Sequence, residues 1–192
     1  MDAGGSGMLD NADWVVIAAG FLDKIGIRCH LVSRTAGGFL EHVEILNGEI
    51  RYDDRAAVGD ILHEAGHIAT CPSQVRPHLS GDLSDGHRRL SELLDAASGD
   101  DNLYQMAINT SDPEATAWAY AAGKHLGIPD DLIIRDQDYD GTGEDIRFGL
   151  SLNSYMGING LHHAGFCVVR NPRYAEIRGL PIYPLLAKWL QD

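Results

Sequence analysis

The chain has 192 residues, and its 44% hydrophobic and 22% charged content is ordinary globular usage, enough for one domain with a substantial core and unlike a disordered chain. Acidic side chains number 28 against 15 basic ones, a formal net charge of −13 that disfavours nucleic-acid phosphate backbones as partners. No apolar run reaches the roughly 18 residues of a membrane span, and the apolar stretch 14–22 is flanked by Asp10, Asp13 and Asp23 rather than by the basic residues of an export signal.

Residues 1–8 have linker composition and read as a disordered tail or cloning remnant, leaving 9–192 as a single domain. Apolar residues at helical spacing before Gly26 predict a first helix over 11–25. Residues 27–33 and 39–45 read as strands. Asn47-Gly48 between the runs 42–46 and 49–52 is a tight-turn signal, so a small antiparallel hairpin is expected. A helix over 54–70 closes before Pro72. Another is expected at 87–97, while 102–109 is ambiguous between helix and strand. A helix over 111–126 ends at Gly127 and Pro129. Residues 130–145 read as an acidic loop, 146–164 as a helical block, and 181–190 as the place for a terminal helix. The fold class expected is α+β, mostly helical with a small antiparallel sheet near the N-terminus. Cys29, Cys71 and Cys167 are odd in number and form no CxxC pair, so a reducing cytoplasm is the expected location.

The nine histidines carry the chemical signal. His63-Glu64-Ala-Gly-His67 places two imidazoles four residues apart on a helix, where their ring nitrogens can converge on one cation. Glu64, beside the first, is placed to face a water on that cation. Ala57, Val58, Ile61, Leu62, Ala65, Ile68 and Ala69 form one apolar arc that leaves out both histidines. Gly59 and Gly66 lie on the adjoining strip and allow another element to come close.

A catalytic zinc needs a third protein ligand and an open position for water. Glu114 is the candidate: it stands in the first turn of a helix whose same face carries Ala117, Trp118, Ala121 and His125, and a carboxylate on a packed face needs a partner. The competing reading is a capping box, Ser111-x-x-Glu114. Asp112, Asp95, His87 and His125 are the alternative third ligands. Tyr155 is the first candidate to donate to an oxyanion, with His162, His163 and Tyr139 behind it. The run 136–147 resembles the start of a calcium loop, but Arg147 stands where a bidentate glutamate belongs, so a solvated acidic loop or a lid over the cleft is preferred. No role is assigned to His30, His42 or His78.

Ile61-Leu-His63-Glu64-Ala-Gly-His67-Ile-Ala69, followed by Glu114-Ala-Thr-Ala-Trp118-Ala-Tyr120-Ala-Ala122, resembles the gluzincin metallopeptidase pattern. More narrowly, it is similar to small bacterial proteins with an HEAGH helix and an E-x-x-A-W-x-Y-A-A-like helix. The resemblance covers 57–72 and 112–128 and thins out over 139–166. It implies a zincin-like α+β fold, Zn2+ held by His63, His67 and Glu114, and Glu64 as general base. The resemblance implies no substrate; the chemistry of a zinc-bound water beside a glutamate base makes a zinc-dependent hydrolase acting on a peptide or small amide bond the expectation. A non-catalytic zinc module derived from such an enzyme is the rival.

Overall fold

The computed structural model describes residues 9–36, 40–81 and 112–192. The helix expected at 87–97 and the ambiguous segment 102–109 lie outside them, as do residues 1–8.

The first helix, α1 (Asn11–Ile25), has the expected limits for local reasons. Asp10 and Asp13 form a reciprocal capping box at its start, and Gly26 ends it in the left-handed conformation, φ 99°. The chain then enters β1 (Cys29–Leu31). Strands β2 (Val43–Leu46) and β3 (Glu49–Tyr52) form the expected hairpin; Asn47 and Gly48 both have positive φ, as a two-residue turn matched to strand twist requires. The sheet order is β1-β3-β2. β3 is antiparallel to β2 but parallel to β1, so the sheet is mixed rather than antiparallel. The hairpin is set by its turn, whereas the edge on which β1 docks is set by tertiary packing.

Helix α2 (Val58–Thr70) carries the histidine pair and is buried along most of its length. It has no capping side chain of its own. The Asn11 amide from α1 supplies one instead: its Oδ1 accepts from the Val58 N–H at 3.0 Å and its Nδ2 donates to the Ala56 carbonyl at 2.9 Å. A single hydrophobic cluster unites α1, the sheet, α2 and α3 (Asp112–Leu126). Residues 115–123 of α3 are all buried, so this helix is covered on every side.

Beyond α3 the structure departs from the expected single loop and single helical block. Residues 130–145 contain α4 (Asp130–Ile133) and a short turn, α5 (Asp138–Gly141), in which Tyr139 and Asp140 are left-handed. The block 146–164 is two helices, α6 (Gly143–Ser151) and α7 (Gly157–His163), parted by Asn153 at φ 53°. No terminal helix forms at 181–190. Its place in the chain is taken earlier by α8 (Pro172–Arg178), and Val168 and Ile182 make an isolated parallel bridge. The final segment still closes the core: the Trp118 indole donates to the Trp189 carbonyl and the Tyr183 hydroxyl to the Ala117 carbonyl. Among the described residues no helix is long and apolar enough to cross a membrane. The three cysteines are free, and burial pushes each thiol up to about 12, so none is a ready nucleophile.

Asp53, between β3 and α2, gives a pH prediction. Burial would raise its pKa, but the Arg55 side chain and backbone N–H and the His42 ring hold it at about 2. An unfolded aspartate titrates near 3.9. A depressed folded value gives stability that is complete above about pH 4 and is lost as pH falls toward about 2. Acid unfolding monitored by circular dichroism should therefore show less loss of stability across that window in D53N than in the wild type. An unchanged pH dependence would refute this assignment.

Candidate metal centre

Two helices build the site. α2 presents His63 and His67 one turn apart, and α3 delivers its first turn across them. The crossing is close because Gly66 lacks a side chain: a Cβ there would stand 2.5 Å from the Ala115 carbonyl oxygen and 2.8 Å from the Ala115 Cα. Gly59 meets the Ile133 carbonyl in the same way. The expected role of these two glycines is thus observed.

His63 Nε2 and His67 Nε2 lie 3.2 Å apart. Asp112 Oδ1 stands 3.3 Å from His67 Nε2 and 3.8 Å from His63 Nε2. A point equidistant from three atoms at these separations is about 2.0 Å from each, and zinc–nitrogen and zinc–carboxylate bonds measure about 2.0–2.2 Å. Among the described residues this is the group of histidine, cysteine and carboxylate side chains that can hold a metal ion. The His63 and then the His67 imidazole beside it hold the Asp112 carboxyl far below the usual carboxylate range. A carboxylate oxygen facing two imidazole nitrogens is satisfied by an N–H of those rings or by a cation seated among them.

Exposure is graded across the group. The side chain of His67 is 2% exposed, that of His63 12%, and that of Asp112 64%. One side is sealed in the core and the other meets a cleft of about 370 Å3 lined by Asp60, His63, Asp112, Thr116, Ile133, Ile134, Tyr139 and Asp140, among others. Such a site has room for a further ligand beside the three protein atoms.

The carboxylate brought to the pair is therefore that of Asp112, an alternative ligand in the sequence reading. The favoured Glu114 lies in the same helical turn, but its carboxylate packs on the bare Cα of Gly160 in α7, outside the group of three. Glu64 is buried on α2. Tyr155 is half-buried beside Thr116, near the carboxylates of Asp112 and Glu114, and burial raises its hydroxyl pKa. His162 has other partners: its Nδ1 pairs with the Cys167 carbonyl at 3.0 Å and its ring packs against His163 and Tyr174, none of which lines the cleft. His163 pairs with the Asn159 carbonyl. His125 is exposed and packs on Phe21 and Trp189. His87 and Asp95 lie outside the described residues. The carboxylates of 136–147 do not converge as a calcium loop would: Asp136 pairs with Arg147 and Asp138 with Arg135.

Sequence reasoning assigns no role to Thr116 and considers Tyr139 only as an oxyanion donor. Both sit on the Nδ1 side of His63, with Tyr139 Oη at 3.2 Å and Thr116 Oγ1 at 3.5 Å. The i, i+4 relation of Asp112 and Thr116 on α3 is the signal that points to the threonine. Comparison of the chain with protein-family models, with curated proteins and with solved structures finds no match.

Proposed function

We propose that this protein is a zinc-dependent hydrolase that cleaves a peptide or small amide bond, with the metal held by His63, His67 and Asp112. The observation that carries the reading is the small triangle of two imidazole nitrogens and one carboxylate oxygen, buried on one side and open to a cleft on the other. Two nitrogens and one oxygen are a borderline donor set suited to zinc. A bound zinc ion would lower the pKa of a coordinated water toward about 7 and polarise a carbonyl.

The chain's own groups supply the rest. Glu64, next to His63 on α2, takes a proton from the attacking water and returns it to the leaving amine. Tyr155 stands beside Thr116 and Asp112, where a phenol kept protonated by burial can donate to a developing oxyanion. Glu114 supports the site from behind, fixed between α3 and α7 by its contact with Gly160.

The direct test is metal content and affinity. The purified protein should hold about one zinc per chain, removable by chelator. D112N should weaken zinc binding about 10²-fold: structural zinc sites bind with roughly 10–16 kcal/mol over four ligands, so one ligand contributes about 3 kcal/mol. E114Q should leave the affinity within a few-fold of wild type. The opposite ranking would restore Glu114 as the ligand. No zinc bound by the wild type would end the hydrolase reading.

A further inference from the structure

We infer that Tyr139 and Thr116 are positioning residues that fix the tautomer of His63, turning its Nε2 lone pair toward the metal position; this inference rests on the metal reading above. Hydrogen-bond direction decides it. Thr116 Oγ1 lies 2.7 Å from the Asp112 carbonyl oxygen, and a carbonyl can only accept, so the threonine hydrogen points there. Thr116 Oγ1 also lies 2.7 Å from Tyr139 Oη. With its own hydrogen already committed, Thr116 accepts in this bond and Tyr139 donates. Tyr139 Oη stands 3.2 Å from His63 Nδ1, and since its single hydrogen is used, it accepts. His63 must then carry its hydrogen on Nδ1. Three bonds need three hydrogens, and only this arrangement satisfies all three. In the neutral ring the Nε2 of His63 is then left as an acceptor, the form in which imidazole binds a metal.

The segment bearing Tyr139 is built for this task. Tyr139 (φ 55°, ψ 49°) and Asp140 (φ 58°, ψ 33°) are consecutive non-glycine residues in the left-handed region, which is unfavourable and persists only where surrounding contacts impose it. Arg135 supplies those contacts. Its guanidinium reaches Asp60 Oδ1 at 2.7 Å, one turn before His63 on α2, and its Nε reaches Asp138 Oδ1 at 3.0 Å. Its backbone N–H donates to Asp138 Oδ2 at 2.7 Å. Arg135 thereby ties the strained turn to the helix that carries His63.

The experiment uses the full chain in two measurements. In the metal-free protein, two-bond 1H–15N spectra, with the His63 signals assigned by their loss in H63N, should show the hydrogen on Nδ1. Y139F and T116V should give a mixture of tautomers, and T116S should restore the wild-type pattern. Zinc affinity, read by competition with a chromophoric chelator, should fall about 10–100-fold in Y139F and T116V and recover in T116S. A lesion that merely loosened packing would not be repaired by the smaller serine. Unchanged affinity in both variants, or a wild-type hydrogen on Nε2, would overturn the inference and leave the metal site standing. A wild type that binds no zinc would sink the metal reading, while the tautomer spectra would still judge the Tyr139–Thr116 arm by itself.

Discussion

Glu64→Gln is expected to retain zinc at wild-type affinity and to lose about 10²–10⁴-fold in turnover. The amide is nearly isosteric with the carboxylate, so the buried position on α2 is preserved. What disappears is a group able to accept a proton near neutral pH and give it up again. A pool of random-sequence internally quenched peptides, assayed with and without chelator, offers a substrate whatever the cleavage preference. Cleavage by the wild type that is zinc-dependent and lost in E64Q would establish the class of reaction. Equal cleavage by both proteins would remove Glu64 from the chemistry. A wild type that binds zinc but cleaves nothing in the pool would favour the non-catalytic module.

Gly66→Ala is expected to destabilise the fold and to weaken metal binding together. Two effects oppose each other. Alanine is the better helix former in a helix interior, by roughly 1 kcal/mol. Against this, the new methyl meets the backbone of α3 at Ala115, with the carbonyl oxygen at 2.5 Å and the Cα at 2.8 Å. Backbone atoms of a buried helix cannot swing aside, so the two helices must separate, at a cost of roughly 1–3 kcal/mol or more. The clash wins, and a fall of several degrees in Tm follows at about 2–4 °C per kcal/mol for a chain of this size. The separation also draws Asp112 away from His63 and His67, because Ala115 lies in the same first turn of α3. The matched control is G20A on α1, where nothing stands within 4 Å of an added Cβ. There helix propensity acts alone and stability should rise by roughly 0.5–1 kcal/mol. Thermal unfolding of the two variants beside the wild type checks the signs. A G66A protein as stable as wild type and with full zinc affinity would refute this account of the helix crossing.

How much of the structure is legible in the sequence depends on whether the controlling interaction is local. The limits of α1 are readable because Asp10, Asp13 and Gly26 act within a turn of each end. The β2–β3 hairpin is readable from Asn47-Gly48, which suits two successive positive φ values. The histidine pair on α2 is readable because a separation of four residues is a fixed geometry in any helix. The arrangement of β1 on the far side of β3 is not, since no residue in β1 encodes which strand it meets. The break between α6 and α7 falls at Asn153, φ 53°, a residue type that tolerates the left-handed region, and the reading of 146–164 as one helical block passes over it.

The choice between Asp112 and Glu114 shows the limit most clearly. Both stand in the first turn of α3, and Glu114 is favoured in the sequence because its face packs inward. Every face of α3 packs inward over 115–123, because α1, α2 and α7 and the C-terminal segment all cover it. Burial therefore could not single out one carboxylate. What decided was the rotation of α3 about its own axis where it crosses Gly66, with α7 pressing Gly160 onto Glu114. By itself the sequence determined a helix bearing two histidines and a glutamate, and a distant helix that begins with carboxylates, because these are short-range periodicities of the backbone. Tertiary structure alone decided which carboxylate meets the pair, and that Tyr139 reaches its far side through a left-handed turn, because those contacts join residues dozens of positions apart whose meeting is set by how whole helices pack.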